Sequence, residues 1–249
     1  MIALHDDHAK NIRRCFNRAA LTYDQNCQIQ FTVGESLIQK LAVLQPYTNH
    51  IIDYGCGTGL VTAQLAMRFP YQHFYAIDIA ERLLIQAQNR LENYGIQCLR
   101  NDFQSWQNRS INFNLVFSNL ALHWSFDLKT ILAAIYNCLV PQGLLAFSIP
   151  LAGTFDELKN ITKNHFFEPI IIRQMLEEIG FNEIDFSEET IQKNFESIIS
   201  AIKAIKAIGA NYTKNKIYQG LRGKNFMHNL WQEPVLLTYQ VGYFIASKI

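Results

Sequence analysis

Gly55, Gly57 and Gly59 stand at alternate positions directly after the short apolar run Ile51-Ile52-Asp53-Tyr54. Glycines between a strand and a helix let a ligand approach the backbone, and the helix N-terminus favours a negative group there. A dinucleotide fingerprint needs G-x-G-x-x-G. Position 60 is Leu, so the spacing here is G-x-G-x-G, with Asp53 inside the strand. An acid at that place is awkward beside a pyrophosphate and suits a ligand with an ammonium group. S-adenosyl-L-methionine has an amino group, a carboxylate and a sulfonium in its methionine half, and no phosphate. Asp78, 19 residues after Gly59, ends the next apolar run, where a carboxylate accepts hydrogen bonds from both ribose hydroxyls. Asp102 follows the third run and can accept from an adenine amino group, with Phe103 beside the ring. Three acids at three successive strand ends make S-adenosyl-L-methionine the expected cofactor. Cys56 lies within the turn without a neighbouring base, so it reads as a small packing residue rather than a nucleophile.

These residues need a particular scaffold. Ile12, Phe16, Ala19, Ala20 and Tyr23 recur at three- and four-residue steps, as do Val33, Leu37, Ile38 and Leu41; residues from Ala3 to Leu44 therefore read as helical, ended by Pro46. From His50 the rhythm becomes strand, turn, helix. Strands are expected at Ile51–Tyr54, Phe74–Ile79, Gln97–Arg100, Phe113–Ser118 and Leu144–Ile149. Helices are expected at Leu60–Phe69, Glu81–Leu91 and Leu128–Leu139. Such alternation implies a parallel sheet covered on both faces. Further on, helices are expected at Phe155–Asn164, Arg173–Ile179 and Phe195–Ile208, and strands at Asn182–Ile191 and Val235–Ala246. The fold class is α/β, a Rossmann-like, seven-stranded, mostly parallel sheet. Residues 1–45 form an N-terminal helical lid, 46–193 and 233–249 the core, and 194–232 a helical cap between the last two strands.

The chain has 249 residues, 49% apolar and 17% charged, which supports one sizeable core and argues against disorder. A net charge of +1 excludes a generic polyanion binder. Five cysteines without a C-x-x-C pair suggest neither a disulfide framework nor a zinc cluster. The N-terminus lacks an apolar signal-peptide core, and the greasiest stretch, Leu139–Leu151, is shorter than the ~20 residues a bilayer span needs. The expected address is the cytoplasm, with no membrane and no nucleic-acid partner. Charge is unevenly spread. Residues 156–196 hold ten acids and four bases, whereas 197–232 hold six bases (Lys203, Lys206, Lys214, Lys216, Arg222, Lys224) and no acid. The cap is therefore basic, and an acidic partner would suit it.

The chain resembles class I S-adenosylmethionine-dependent methyltransferases. Asp53 to Gly59 matches their first motif, Ala76-Ile77-Asp78-Ile79 the second, and Ser118-Asn119-Leu120-Ala121-Leu122-His123-Trp124 the segment lining the methyl-transfer site. Three more segments are similar to the malonyl-acyl-carrier-protein O-methyltransferase family of biotin synthesis (the BioC family). They are Phe16-Asn17-Arg18-Ala19-Ala20-Leu21-Thr22-Tyr23-Asp24, Ser200 to Asn211 with its K-x-I-G-A run, and Leu237-Thr238-Tyr239-Gln240. That family usually has Gln where this chain has His123. The resemblance implies methyl esterification of the free carboxylate of a malonyl thioester on acyl carrier protein. It implies Ile79, Ser118 and Asn119 at the cofactor, beside Asp53, Gly55, Cys56, Gly57, Gly59, Asp78, Asp102 and Phe103.

A carboxylate is already ionised at neutral pH, so no general base is needed, and catalysis should rest on alignment and exclusion of water. Tyr23 and His123 are the expected positioning residues, with Arg18, Trp124 and Lys206 at the substrate. The expected partner is an acidic acyl carrier protein bearing the malonyl thioester, docked on Lys203, Lys214, Lys216, Arg222 and Lys224, with Arg13 and Arg14 in support. Two alternatives stay open. A methyltransferase for a free small carboxylic acid would keep the cofactor site without needing a basic cap, and a non-catalytic S-adenosylmethionine-binding partner protein would keep the glycine turn. A base methyltransferase of nucleic acids fits less well, because Ser118-Asn119-Leu120-Ala121 is not an N-P-P-Y-like segment.

Overall fold

A computed structural model describes residues 2–102, 111–158, 166–212 and 233–249. Seven strands form one sheet: β1 (His50–Tyr54), β2 (His73–Asp78), β3 (Gln97–Arg100), β4 (Phe113–Asn119), β5 (Leu139–Pro150), β6 (Phe181–Phe195) and β7 (Val235–Lys248). Their order is β3-β2-β1-β4-β5-β7-β6. β7 runs antiparallel to both neighbours, and the other pairings are parallel. The chain leaves β1 towards β2 on one side and later returns to place β4 on the other. The β1/β4 junction is thus the switch point, and ligands bind beyond the carboxyl ends of strands there.

Both faces of the sheet are covered, so the central strands are apolar at successive positions and neighbouring residues serve opposite layers. Ile52, Val116 and Leu145 face α6 (Leu128–Cys138) and α7 (Pro169–Ile179), packing on Ile131, Ile135 and Ile172. Ile51 and Leu115 face the other way, onto Val33, Leu37 and Leu41 of α3 (Gln28–Val43) and Leu65 of α4 (Leu60–Arg68). α5 (Glu81–Leu91) covers β2 and β3 through Leu84 and Ala87.

The N-terminal helical stretch is broken into α1 (Ile2–Ala19), α2 (Tyr23–Asn26) and α3. At the first break Thr22 donates its hydroxyl to Ala19 O (3.1 Å) and to Ala207 O (2.8 Å), the latter at the end of α8 (Ile198–Ala207). α8 starts later than its apolar periodicity suggests. Phe195 still pairs with Val235 as the last residue of β6, and Ser197 and Ser200 close a capping box that starts the helix after it. Pro169 at the first position of α7 starts that helix four residues before the expected Arg173. β5 reaches back to Leu139, with irregular pairing before Leu144; at Gly143 a Cβ would lie 2.8 Å from Val140 O. The expected helix at Phe155–Asn164 is, among the described residues, only a 3-10 turn, Asp156–Leu158, and its end lies outside them.

Candidate active site

The glycine turn follows β1, and each of its glycines has a separate reason to lack a side chain. Gly55, Gly57 and Gly59 all have positive φ (82°, 56° and 79°). A Cβ on Gly57 would point towards the Tyr23 hydroxyl, 3.8 Å away, into the space between turn and α2. A Cβ on Gly59 would press on Ala87 at 3.2 Å, where α4 begins against α5. Asp78 ties this turn to β2, accepting from Gly57 N (2.9 Å) and Ala80 N (2.7 Å). Burial raises its carboxyl to about 6, against the lowering effect of those N–H groups. Asp53 lies beneath the turn, 2% exposed, accepting from Thr62 Oγ1 at 2.6 Å; burial pushes it up to about 7.

A cleft of about 70 Å³ lies between this turn and α1. Tyr23, Gly55, Gly57, Asp78, Ile79 and Asp102 line it, and Asn119 and Trp124 close its far end. Beside it a space of about 30 Å³ is walled by Tyr23, Gln30, Asp53, Gly55, Cys56 and Asn119. The two share Tyr23, Gly55 and Asn119, so they are neighbouring compartments. A backbone cradle of positive-φ glycines, with acids beneath it and at the next strand end, fits S-adenosyl-L-methionine. Asp78 would hold the ribose and the turn the methionine end. Burial keeps the Cys56 thiol protonated and the Tyr23 phenol neutral.

Several expected residues have other places. Ser118 is fully buried and donates to Tyr54 O (2.8 Å), so it braces β4 on β1 and does not line the cleft. Asn119 accepts from Ser148 Oγ (2.7 Å) and donates to Gln30 O (2.8 Å), fixing α3 at the strand end. Arg18 and Lys206 are exposed and line none of the compartments, as is Lys203 on α8. Phe103, Lys214, Lys216, Arg222 and Lys224 lie outside the described residues.

A third compartment, about 380 Å³, opens where β4 and β5 end and the first half of β7 passes. It shares His8, Leu120, Trp124, Ser125 and Phe126 with the first cleft and Gln30 with the second. Its wall is largely apolar, including Ile149, Phe155, Phe166, Tyr239 and Val241. His123 lies in this wall beside Trp124 (ring centroids 4.7 Å) and Phe166 (6.0 Å), and burial lowers its ring to about 3, so it is neutral. Trp124 meets Phe16 of α1 edge-on at 5.5 Å.

Some site residues were not foreseen. His8 donates from Nε2 to Trp124 O (2.9 Å), and its Nδ1 lies 3.3 Å from the Tyr212 hydroxyl. Asp24 joins α2 to the turn and α5: it accepts from Thr58 Oγ1 (2.6 Å) and from Arg90 (2.7 Å), which also donates to Thr58 O. Gln30 stands four residues before Gly34, whose missing Cβ lets α3 approach Val61; a polar residue on that close-packed helix face is a readable signal.

Comparison with known proteins places this site in a class. A methyltransferase-domain family profile matches residues 51–143. Among solved structures, an S-adenosylmethionine-dependent methyltransferase from Thermotoga maritima superposes with a TM-score of 0.60 at 14% identity, covering 96% of this chain and all of that one. Phosphoethanolamine N-methyltransferase 2 of Haemonchus contortus, in complex with S-adenosyl-L-methionine, gives 0.54 at 18% identity over 84% of this chain and 52% of that one. At such identities the likeness shows the fold: a class I methyltransferase scaffold. Malonyl-[acyl-carrier protein] O-methyltransferase 2 of Coxiella burnetii is 38% identical over 243 residues, 96% of each chain. The chain belongs to the malonyl-acyl-carrier-protein O-methyltransferase family.

Proposed function

We propose that this enzyme uses S-adenosyl-L-methionine to esterify the free carboxylate of malonyl-acyl-carrier protein in the pimeloyl branch of biotin synthesis. The 38% identity along 96% of the chain to a protein of that name carries the reading. The joined compartments support it, a cleft at the glycine turn opening into a larger, largely apolar cavity. When bound, the cofactor supplies an electrophilic methyl group on a sulfonium, which a carboxylate oxygen takes as an ester while the sulfur leaves with the bonding pair as neutral S-adenosylhomocysteine. The protein's own residues orient and enclose. Asp78, Gly55 and Gly57 hold the cofactor, with Ile79 and Asp102 beside it. Tyr23 roofs the turn, and α1 and α2, latched through Asp24, exclude water. His123 and Trp124 position the acyl group without moving a proton, since the ring is neutral and the nucleophile already ionised. Arg18 and Lys206, both exposed, are placed to meet the carrier rather than the reacting carboxylate. An acidic carrier is the proposed partner for the basic stretch 197–232.

The test is methyl transfer to malonyl-acyl-carrier protein, malonyl-CoA and free malonate, with products read by mass spectrometry. A methyl ester formed chiefly on the carrier is expected. Ester on free malonate alone would replace this reading with a small-acid methyltransferase, and cofactor binding without any ester would leave a binding protein.

A further inference from the structure

Among the described residues, three buried side-chain polar atoms have no hydrogen-bond partner: Gln30 Oε1, His123 Nδ1 and Ser125 Oγ. All three residues line the same 380 Å³ cavity. Buried polar groups are normally paired, and leaving one unmade costs about 1–3 kcal/mol. Three such groups around one apolar cavity that joins the cofactor cleft mark where a polar ligand group completes the bonding. Gln30 also walls the compartment beside the glycine turn, and Ser125 also lines the first cleft, so both stand at the junctions where methyl donor and acceptor must meet.

The chemistry of the three defines the group they take. Each can donate a hydrogen bond: the serine hydroxyl, the N–H of a neutral imidazole, and the glutamine NH2, since an amide can present either end. No lysine or arginine lines this cavity among the described residues. Neutral donors hold a carboxylate in place without the tight ion pair that would draw charge from its oxygen and blunt it as a nucleophile. Asn119, bonded to the backbone O of Gln30, fixes the main chain there, and the Trp124 ring lies tilted against His123.

We propose that Gln30 and Ser125, together with His123, form a neutral hydrogen-bonding receptor for the free carboxylate of the acyl group, and so select a carboxyl-bearing thioester over an uncharged one. This rests on the carboxyl-methyltransferase reading above. Gln30, Ser125 and His123 act here as specificity-determining positioning residues.

The experiment measures binding of malonyl-pantetheine and acetyl-pantetheine to the full chain saturated with sinefungin, a non-reactive cofactor analogue with an ammonium group. It compares wild type with Gln30→Met, Ser125→Ala, His123→Phe and His123→Gln. Wild type should prefer the malonyl form. Each of the first three variants should lose about ten-fold of that preference, the size of one hydrogen bond to a charged group. His123→Gln, which keeps a donor, should restore it. Melting temperature should not fall in the first three variants, since each removes an unpaired buried polar atom, and in turnover KM should rise more than kcat falls. Gln30→Met and Ser125→Ala binding both ligands as wild type does would overturn the proposal, as would a wild type without preference. A wild type that prefers malonyl-pantetheine but esterifies no carrier-bound malonyl group would overturn the substrate assignment alone and leave the receptor standing.

Discussion

Asp78 is a buried carboxylate gripped by two backbone N–H groups, and its environment sets a pH dependence for the whole site. Burial raises it from 3.8 to about 6. In the role proposed for Asp78, ribose hydroxyls donate to its ionised form, so its share of cofactor affinity should be full only well above pH 6. Below that it should weaken by about ten-fold per pH unit, because the proton must leave first. Stability moves the other way. A carboxyl whose folded pKa lies above its unfolded value keeps a proton the unfolded chain has lost between pH 3.8 and about 6. The contribution of Asp78 to the stability of the free protein therefore falls as pH rises through that window. Titration calorimetry from pH 5 to 8 checks the binding half. Asp78→Asn should lose about ten-fold or more in affinity at pH 7.5 and lose the inflection near pH 6, leaving only that of Asp53 near 7, since an amide oxygen accepts without ionising. His123, neutral through this range, should add no inflection of its own.

At the scale of elements, one close contact joins α1 to the end of α8 over the site. Gly209, just past α8 with φ of 77°, lies so close to α1 that a Cβ would sit 2.7 Å from Phe16 Cδ1 and 2.9 Å from its Cα. Phe16 in turn packs on Trp124. Gly209→Val should therefore push α8 from α1 and cost about 1–3 kcal/mol. The expected readouts are a lowered melting temperature and faster hydrogen exchange in α1, with exchange in β1 and β4 unchanged. This contact also shows what one sequence can and cannot disclose. Gly55, Gly57 and Gly59 are legible because positive φ and close approach demand glycine locally. The strands β1 to β4 are legible because short apolar runs are bounded by turn residues. Gly209 is legible locally as a helix stop with positive φ, but its contact with Phe16, 193 residues away, is not. His8 and Ser125 take their meaning from long-range neighbours, and no local period announces them; only Gln30 has a local signal, its place on the Gly34 face of α3. The hydrophobic period ran the expected α8 into β6, because Phe195 suits either a helix face or a ladder, and only its pairing with Val235 decides.

At the scale of the molecule, the matched methyltransferase domain, residues 51–143, supplies the floor of the site. Much of the rest of its wall comes from outside that span: His8, Phe16, Tyr23 and Gln30 before it, Phe155, Ile208 and Tyr212 after it. Charge follows the same division, because residues 197–232 carry bases without acids. The double variant Lys214→Glu/Arg222→Glu should raise KM for the carrier-bound substrate about ten-fold at low ionic strength. That difference should shrink in high salt, with cofactor affinity unchanged, since docking charges act mainly on encounter. Equal kinetics at low salt would remove these two residues from the docking face. The bond between His8 and Tyr212 spans 204 residues. On a ribosome adding about 5–20 residues per second, α1 is made roughly 10–40 s before that partner. A helix made early thus finds its place late, and a nascent chain halted before α8 would hold the glycine turn without its complete roof.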